Sequence, residues 1–238
     1  KQTILGPLWY LIQPLVNTIV FTVIFGKVAK ISTDGTPPFI FYMAGSVIWS
    51  YFSSCLSATS NIFVANAGLF GKVYFPRLIV PIASIILSLL QFLIQFTFFL
   101  LFLGYFIFNG SDININISAL FLPFLLLQLA ILSIGFGTLI SSVTAKYRDL
   151  SFALPFLIQI WMFATPIVFP LSIVPDKYKL LASLNPMTSI IEIFRHMFLG
   201  VSSIDLNIII ISFLITIVAL FLGIFNFSRV EKDFMDTV

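Results

Sequence analysis

"SSVTAKYRDLSFALP", residues 141–155, sets Lys146, Arg148 and Asp149 within four positions between two long apolar runs. Such an island reads as a short aqueous turn between two membrane-crossing segments, at roughly 118–143 and 151–171. Four more runs of the same kind lie at about 8–25, 39–63, 79–108 and 206–227, and none of the six contains Asp, Glu, Lys or Arg. A bilayer core of about 30 Å needs about 20 apolar residues in helical form. Barrel strands would alternate polar and apolar residues, which these runs do not. The sequence therefore predicts an all-α membrane protein of six transmembrane helices, in one domain spanning 1–238.

Composition points the same way. Hydrophobic residues make up 60% of the chain and charged residues 9%, against about 25% charged in soluble domains. The net charge of +3 is too small and scattered to indicate nucleic acid. One cysteine, Cys55, and one histidine, His196, exclude an internal disulfide and a metal cluster built by this chain. The chain opens at Lys1 and enters a span within a few residues, so we expect a native N-terminus that extends further.

Six spans divide the polar segments between two sides. The side holding both termini and the 64–78 and 144–150 loops carries seven basic against four acidic residues, while the other balances five against five. The basic excess marks the cytoplasmic side, so both termini are expected there, in a multi-pass membrane protein.

Two cytoplasmic loops have a distinct character. "TAKYRDL" suits one or two helical turns with Thr144 as N-cap, placing Tyr147 and Leu150 on one side. It reads either as a solvated linker or as a docking helix. In "ANAGLFGKVYFPRLIVP", residues 65–81, Phe70 and Tyr74 stand among Lys72 and Arg77, as in a segment lying along the headgroups or in a second docking element.

Catalytic chemistry finds little support. Ionisable groups inside a bilayer are costly and usually functional, and the six runs have none. No G-x-x-x-x-G-K-[ST] phosphate loop occurs, so any use of ATP falls to another polypeptide. In the 186–199 segment, Glu192 can pair with Arg195 at i, i+3 and shares a face with His196 at i, i+4, which reads first as a local salt bridge.

Uncharged polar residues within the spans are more informative. Tyr42, Ser46, Trp49, Ser53 and Ser60 share a helical face of the second span, Trp9 and Gln13 lie at i, i+4 in the first, and Gln159 and Phe163 in the fifth. Rings that stack on pyranose C–H faces beside groups that satisfy hydroxyls suit a sugar chain. Close helix packing through small residues is the other reading. For Gln91 and Gln95 we expect interhelical hydrogen bonds. Prolines at 155, 166, 170, 175 and 186 should break the fifth span near Pro166–Pro170. They leave an outer re-entrant segment at about 172–200 that holds a helix too short to span.

"LGPLWYLIQPL", "VYFPRLIVP", "AKYRDL", "TPIVFP" and "LNPM…IIEIFR" occur in this order along nearly the whole chain. Together they resemble the membrane (permease) subunits of ABC-type polysaccharide exporters, the O-antigen, capsule and teichoic-acid export family. The resemblance implies a homodimer with two cytoplasmic ATPase subunits, which would carry the ATP and magnesium, this chain holding no cofactor. It implies a lipid-linked, O-antigen-like glycan as cargo. Coupling to the ATPase would fall to Lys146, Tyr147, Arg148, Asp149 and Leu150, with Phe70, Lys72 and Tyr74. The glycan pathway would take Trp9, Gln13, Tyr42, Ser46, Trp49, Ser53, Gln159 and Phe163, and an outer gate Pro186, Glu192, Arg195 and His196. A sibling permease for drugs or lipids, a passive channel or scaffold, and a membrane-embedded transferase are the competing classes. The last lacks the acids it would need.

Overall fold

The computed structural model describes residues 9–62, 79–147, 149–201 and 205–235, and these are helical almost throughout. Eight α-helices follow in order: α1 (Trp9–Phe21), α2 (Pro38–Ser60), α3 (Ile79–Phe108), α4 (Leu122–Lys146), α5 (Leu150–Phe163), α6 (Asp176–Ser183), α7 (Pro186–Leu199) and α8 (Leu206–Met235). A π-helical stretch, Thr22–Val28, continues α1, and a 3-10 turn, Ile117–Phe121, leads into α4. Within the π stretch the hydrogen bonds reach five residues back, as where Ala29 N–H donates to the Ile24 carbonyl at 2.8 Å.

Among the described residues, five segments are long and apolar enough to cross a membrane: Trp9–Val28, Pro38–Ser60, Ile79–Phe108, Ile117–Lys146 and Leu206–Val230. The expected fifth span is shorter than its apolar run. α5 has 14 residues, about 21 Å at 1.5 Å per residue, and the chain leaves it in a series of turns through Pro166 before Pro170. The short helix expected at 186–199 is α7. Its sequence explains its limits, since the Asn185 side chain accepts from Met187 N–H, Pro186 stands at the first turn and Gly200 closes it at φ 71°.

α2 is the axis of the fold. It is buried along most of its length, with α1, α3, α4, α5 and α7 around it. α8 packs most extensively on α4, which requires a small residue there: a Cβ on Gly135 would sit 2.6 Å from the Leu220 nitrogen; on the α2 side of α4, one on Gly137 would collide with the Thr59 side chain. Thr59 Oγ1 donates across to the Ser133 carbonyl at 3.1 Å, and Thr144 Oγ1 to the Ser60 carbonyl at 3.1 Å. Close backbone approach and such cross-helix bonds stand in for the hydrophobic effect, which lipid does not supply between helices.

The Thr144 contact corrects one expectation. Thr144 lies in the last turn of α4 and caps nothing; α4 runs on to Lys146 and α5 starts at Leu150. A tertiary partner for the hydroxyl outweighs the local cap, and a tight connection replaces a separate helix at 144–150.

Gln95 behaves as expected. Pro14 in α1 lacks the N–H that would bond the Tyr10 carbonyl four residues back. Gln95 Nε2 from α3 donates to that carbonyl instead, at 2.8 Å.

Candidate functional site

Between α1, α2 and α5 lies a cavity of about 300 Å³. α1 contributes Gln13, Pro14, Asn17 and Phe21, α2 contributes Ser46, Trp49, Ser50 and Ser53, and α5 contributes Pro155, Ile158, Gln159 and Met162, with Ile167 beyond it. Its lining is about equally polar and apolar, and no charged side chain belongs to it among the described residues. Five of the eight residues expected along a pathway therefore meet here: Gln13, Ser46, Trp49, Ser53 and Gln159.

The other three lie elsewhere. Tyr42 is completely buried among Phe21 and Phe41, so the α2 face it shares with Ser46 is sealed at that level. Trp9 and Phe163 are exposed and do not line the cavity. Ser60 faces α4, where its carbonyl takes the Thr144 hydroxyl. Asn17 and Ser50 went unnoticed in the sequence, although Asn17 is one helical turn from Gln13.

Trp49 packs edge-on to Trp161 at 6.5 Å, and Trp161 packs against Phe52 and Phe136. Trp161 Nε1 donates to Asn185 Oδ1 at 3.0 Å, while Asn185 Nδ2 donates to Thr165 Oγ1 at 2.8 Å. Asn185 thus joins the wall of the cavity, the end of α5 and the start of α7.

The four residues expected at an outer gate are all on α7. Arg195 is fully buried. Its Nη1 donates to the Pro166 carbonyl at 2.7 Å and to Glu192 Oε1 at 3.2 Å, and its Nη2 to the Ile167 carbonyl at 2.6 Å. The guanidinium lies 3.7 Å from the centre of the Phe41 ring. The expected Glu192–Arg195 salt bridge is therefore present, but its arginine also takes up backbone carbonyls left by the proline-interrupted end of α5. His196 Nε2 is 3.0 Å from Asn116 Nδ2. Pro186 begins α7 and its carbonyl accepts from Ser212 Oγ of α8 at 2.9 Å.

At the far end of the bundle, Lys146, Tyr147 and Leu150 border a mostly apolar groove of about 490 Å³ between α4, α5 and α8. The Lys146 ammonium is 5.4 Å from the centre of the Tyr147 ring, and Asp149 sits just before α5 without capping it. Tyr147 and Leu150 both line this groove, although no helix spans them. Arg148, Phe70, Lys72 and Tyr74 lie outside the described residues.

Among the described residues no group of three or more His, Cys, Asp or Glu is placed to hold a metal ion. The arrangement offers hydrogen bonds and ring faces, and no nucleophile with its base.

Comparison with known proteins gives this architecture a place. An O-antigen export system permease protein RfbA of Klebsiella pneumoniae is 28% identical over 232 residues, covering 95% of this chain and 85% of the relative. A second RfbA of that organism is 25% identical over 239 residues, covering 99% and 88%. The polysialic acid transport protein KpsM of Escherichia coli is 28% identical over 194 residues, covering 81% and 73%. The ABC-2 type transporter family matches residues 1–199. A multi-pass helical chain with this match belongs to the ABC-2 type transporter membrane family.

Proposed function

We propose that this chain is the transmembrane subunit of an ATP-driven exporter that carries a lipid-linked, O-antigen-like polysaccharide from the cytoplasm to the outer face of the bacterial inner membrane. The observation that carries the reading is the cavity between α1, α2 and α5. It presents amides, hydroxyls and an indole ring at membrane depth and has no charge in its lining among the described residues. Hydroxyl-rich chains fit such a lining. The exporter relatives support the same reading.

The subunit works as a homodimer. The flank beside the cavity exposes Val16 and Ile19 of α1 and Phe156 and Ile160 of α5, a surface that a second copy can cover. α5 with the turns after it forms a sixth crossing. α6 and α7 form the outer re-entrant pair, with Pro186, Glu192, Arg195 and His196 at the gate. Both termini face the cytoplasm. Two ATPase chains bind ATP and magnesium and push on Lys146–Leu150, together with the loop that holds Phe70, Lys72 and Tyr74. That push shifts the two copies and opens the path.

The test uses Ser53→Cys in a Cys55→Ala background, the natural cysteine being the only one and fully buried. Maleimide labelling at position 53 in membrane vesicles should fall when a lipid-linked glycan occupies the dimer and recover when ATP drives export. Labelling indifferent to both would remove the cavity from the pathway.

A further inference from the structure

The cavity also discriminates by charge. Resting on the pathway reading above, we infer that its cargo is an uncharged glycan and that polymers bearing a carboxylate on each repeat are rejected there.

Gln13 and Asn17 stand one turn apart on α1, and Gln159 faces them from α5. All three are exposed, and no hydrogen bond within the described residues engages their carboxamides. Each offers both donors and an acceptor, the complement of a sugar hydroxyl, which also does both. Ser46 Oγ is buried at the same wall without a partner. A buried hydroxyl left without a partner carries a cost that a ligand at this wall would relieve.

The lining lacks a cation among the described residues. Arg195, which holds the carbonyl of the lining residue Ile167, has its two Nη groups engaged by that carbonyl, the Pro166 carbonyl and Glu192. Glu192 balances its charge, so it provides no field for an acidic cargo. A carboxylate entering a low-dielectric passage needs a partner of opposite sign. Carboxamides cannot supply one, whereas they match hydroxyls without any change of protonation.

The experiment reconstitutes the full chain with its ATPase in proteoliposomes. It offers two lipid-linked glycans of equal length, one of neutral hexoses and one with a uronate in every repeat. Tryptophan fluorescence reports occupancy beside Trp49, and enzymatic accessibility outside reports export. The neutral chain should quench and be exported at least tenfold faster than the uronate chain. Gln159→Lys, and separately Asn17→Lys, should shift that ratio towards the uronate chain in complexes that still assemble. Equal export of both cargoes, with quenching by both, overturns the charge selection and leaves the pathway standing. If neither quenches while export proceeds, the cavity is not the pathway, and both readings fall.

Discussion

Arg195→Met is the most demanding substitution this structure suggests. Methionine keeps the length of the side chain and removes the planar fork. The Pro166 and Ile167 carbonyls then lose charged donors at 2.7 and 2.6 Å, Glu192 loses its arginine, and the face of Phe41 loses a cation at 3.7 Å. Removing one partner of a buried ion pair costs about 3–5 kcal/mol. The arginine's own desolvation disappears with it, so we place the net near about 4 kcal/mol. For a chain of this size about 2–4 °C accompanies each kcal/mol, which sets the expected fall in Tm at roughly 8–16 °C. Thermal unfolding of the purified chain in detergent, followed by tryptophan fluorescence, measures it. Arg195→Lys should lose most of the same stability, since one ammonium cannot hold both carbonyls and lie flat on a ring. Glu192→Gln keeps an acceptor but leaves the buried Arg195 cation without its counter-charge, so it should cost about 3 kcal/mol, at the low end of the same range. An Arg195→Met protein melting within about 2 °C of the natural one, or a fully stable Arg195→Lys, would refute the view that this fork holds the end of α5 against α2 and α7.

Two further variants, one single and one double, probe the packing and the coupling end. Gly137→Val, which drives a side chain into Thr59, should destabilise the chain by about 1–3 kcal/mol and weaken the α2–α4 contact, read as a lowered Tm; an unchanged melt would contradict the close approach. Tyr147→Ala with Arg148→Ala should leave the dimer intact while ATP hydrolysis continues without export, measured side by side in vesicles; unaltered export would remove the 146–150 turn from coupling.

Much of the helical layout was legible because lipid imposes one strong rule. An apolar run must be a helix there, so the 79–108 run coincides with α3 and the 206–227 run opens with α8 at Leu206. Proline 166 announced the end of α5, and the spacing of Ser46, Trp49 and Ser53 announced a shared wall. Tertiary partners decided the rest. Arg195 reads as one half of a local salt bridge with Glu192, and nothing in its own helix shows that carbonyls 28 and 29 residues away will also receive it. Tyr42 has the right phase for the cavity face, yet Phe21 and Phe41 close over it. Thr144 has a capping residue's identity, yet Ser60 lies within its reach.

The wide turn Thr22–Val28 stores slack in the backbone at the end of α1. An α-helix advances about 100° per residue, and a π stretch takes up chain that tighter winding would release. The loop that follows is moored where Ser172 Oγ donates to Asp34 Oδ1 at 2.8 Å. Rewinding this stretch by one residue would therefore turn the helix before it by about 100° about its own axis. Gln13 and Asn17 would swing away from Gln159, and Tyr10 would leave Gln95. A single residue of slack would thus be enough to turn one wall of the cavity away from the others.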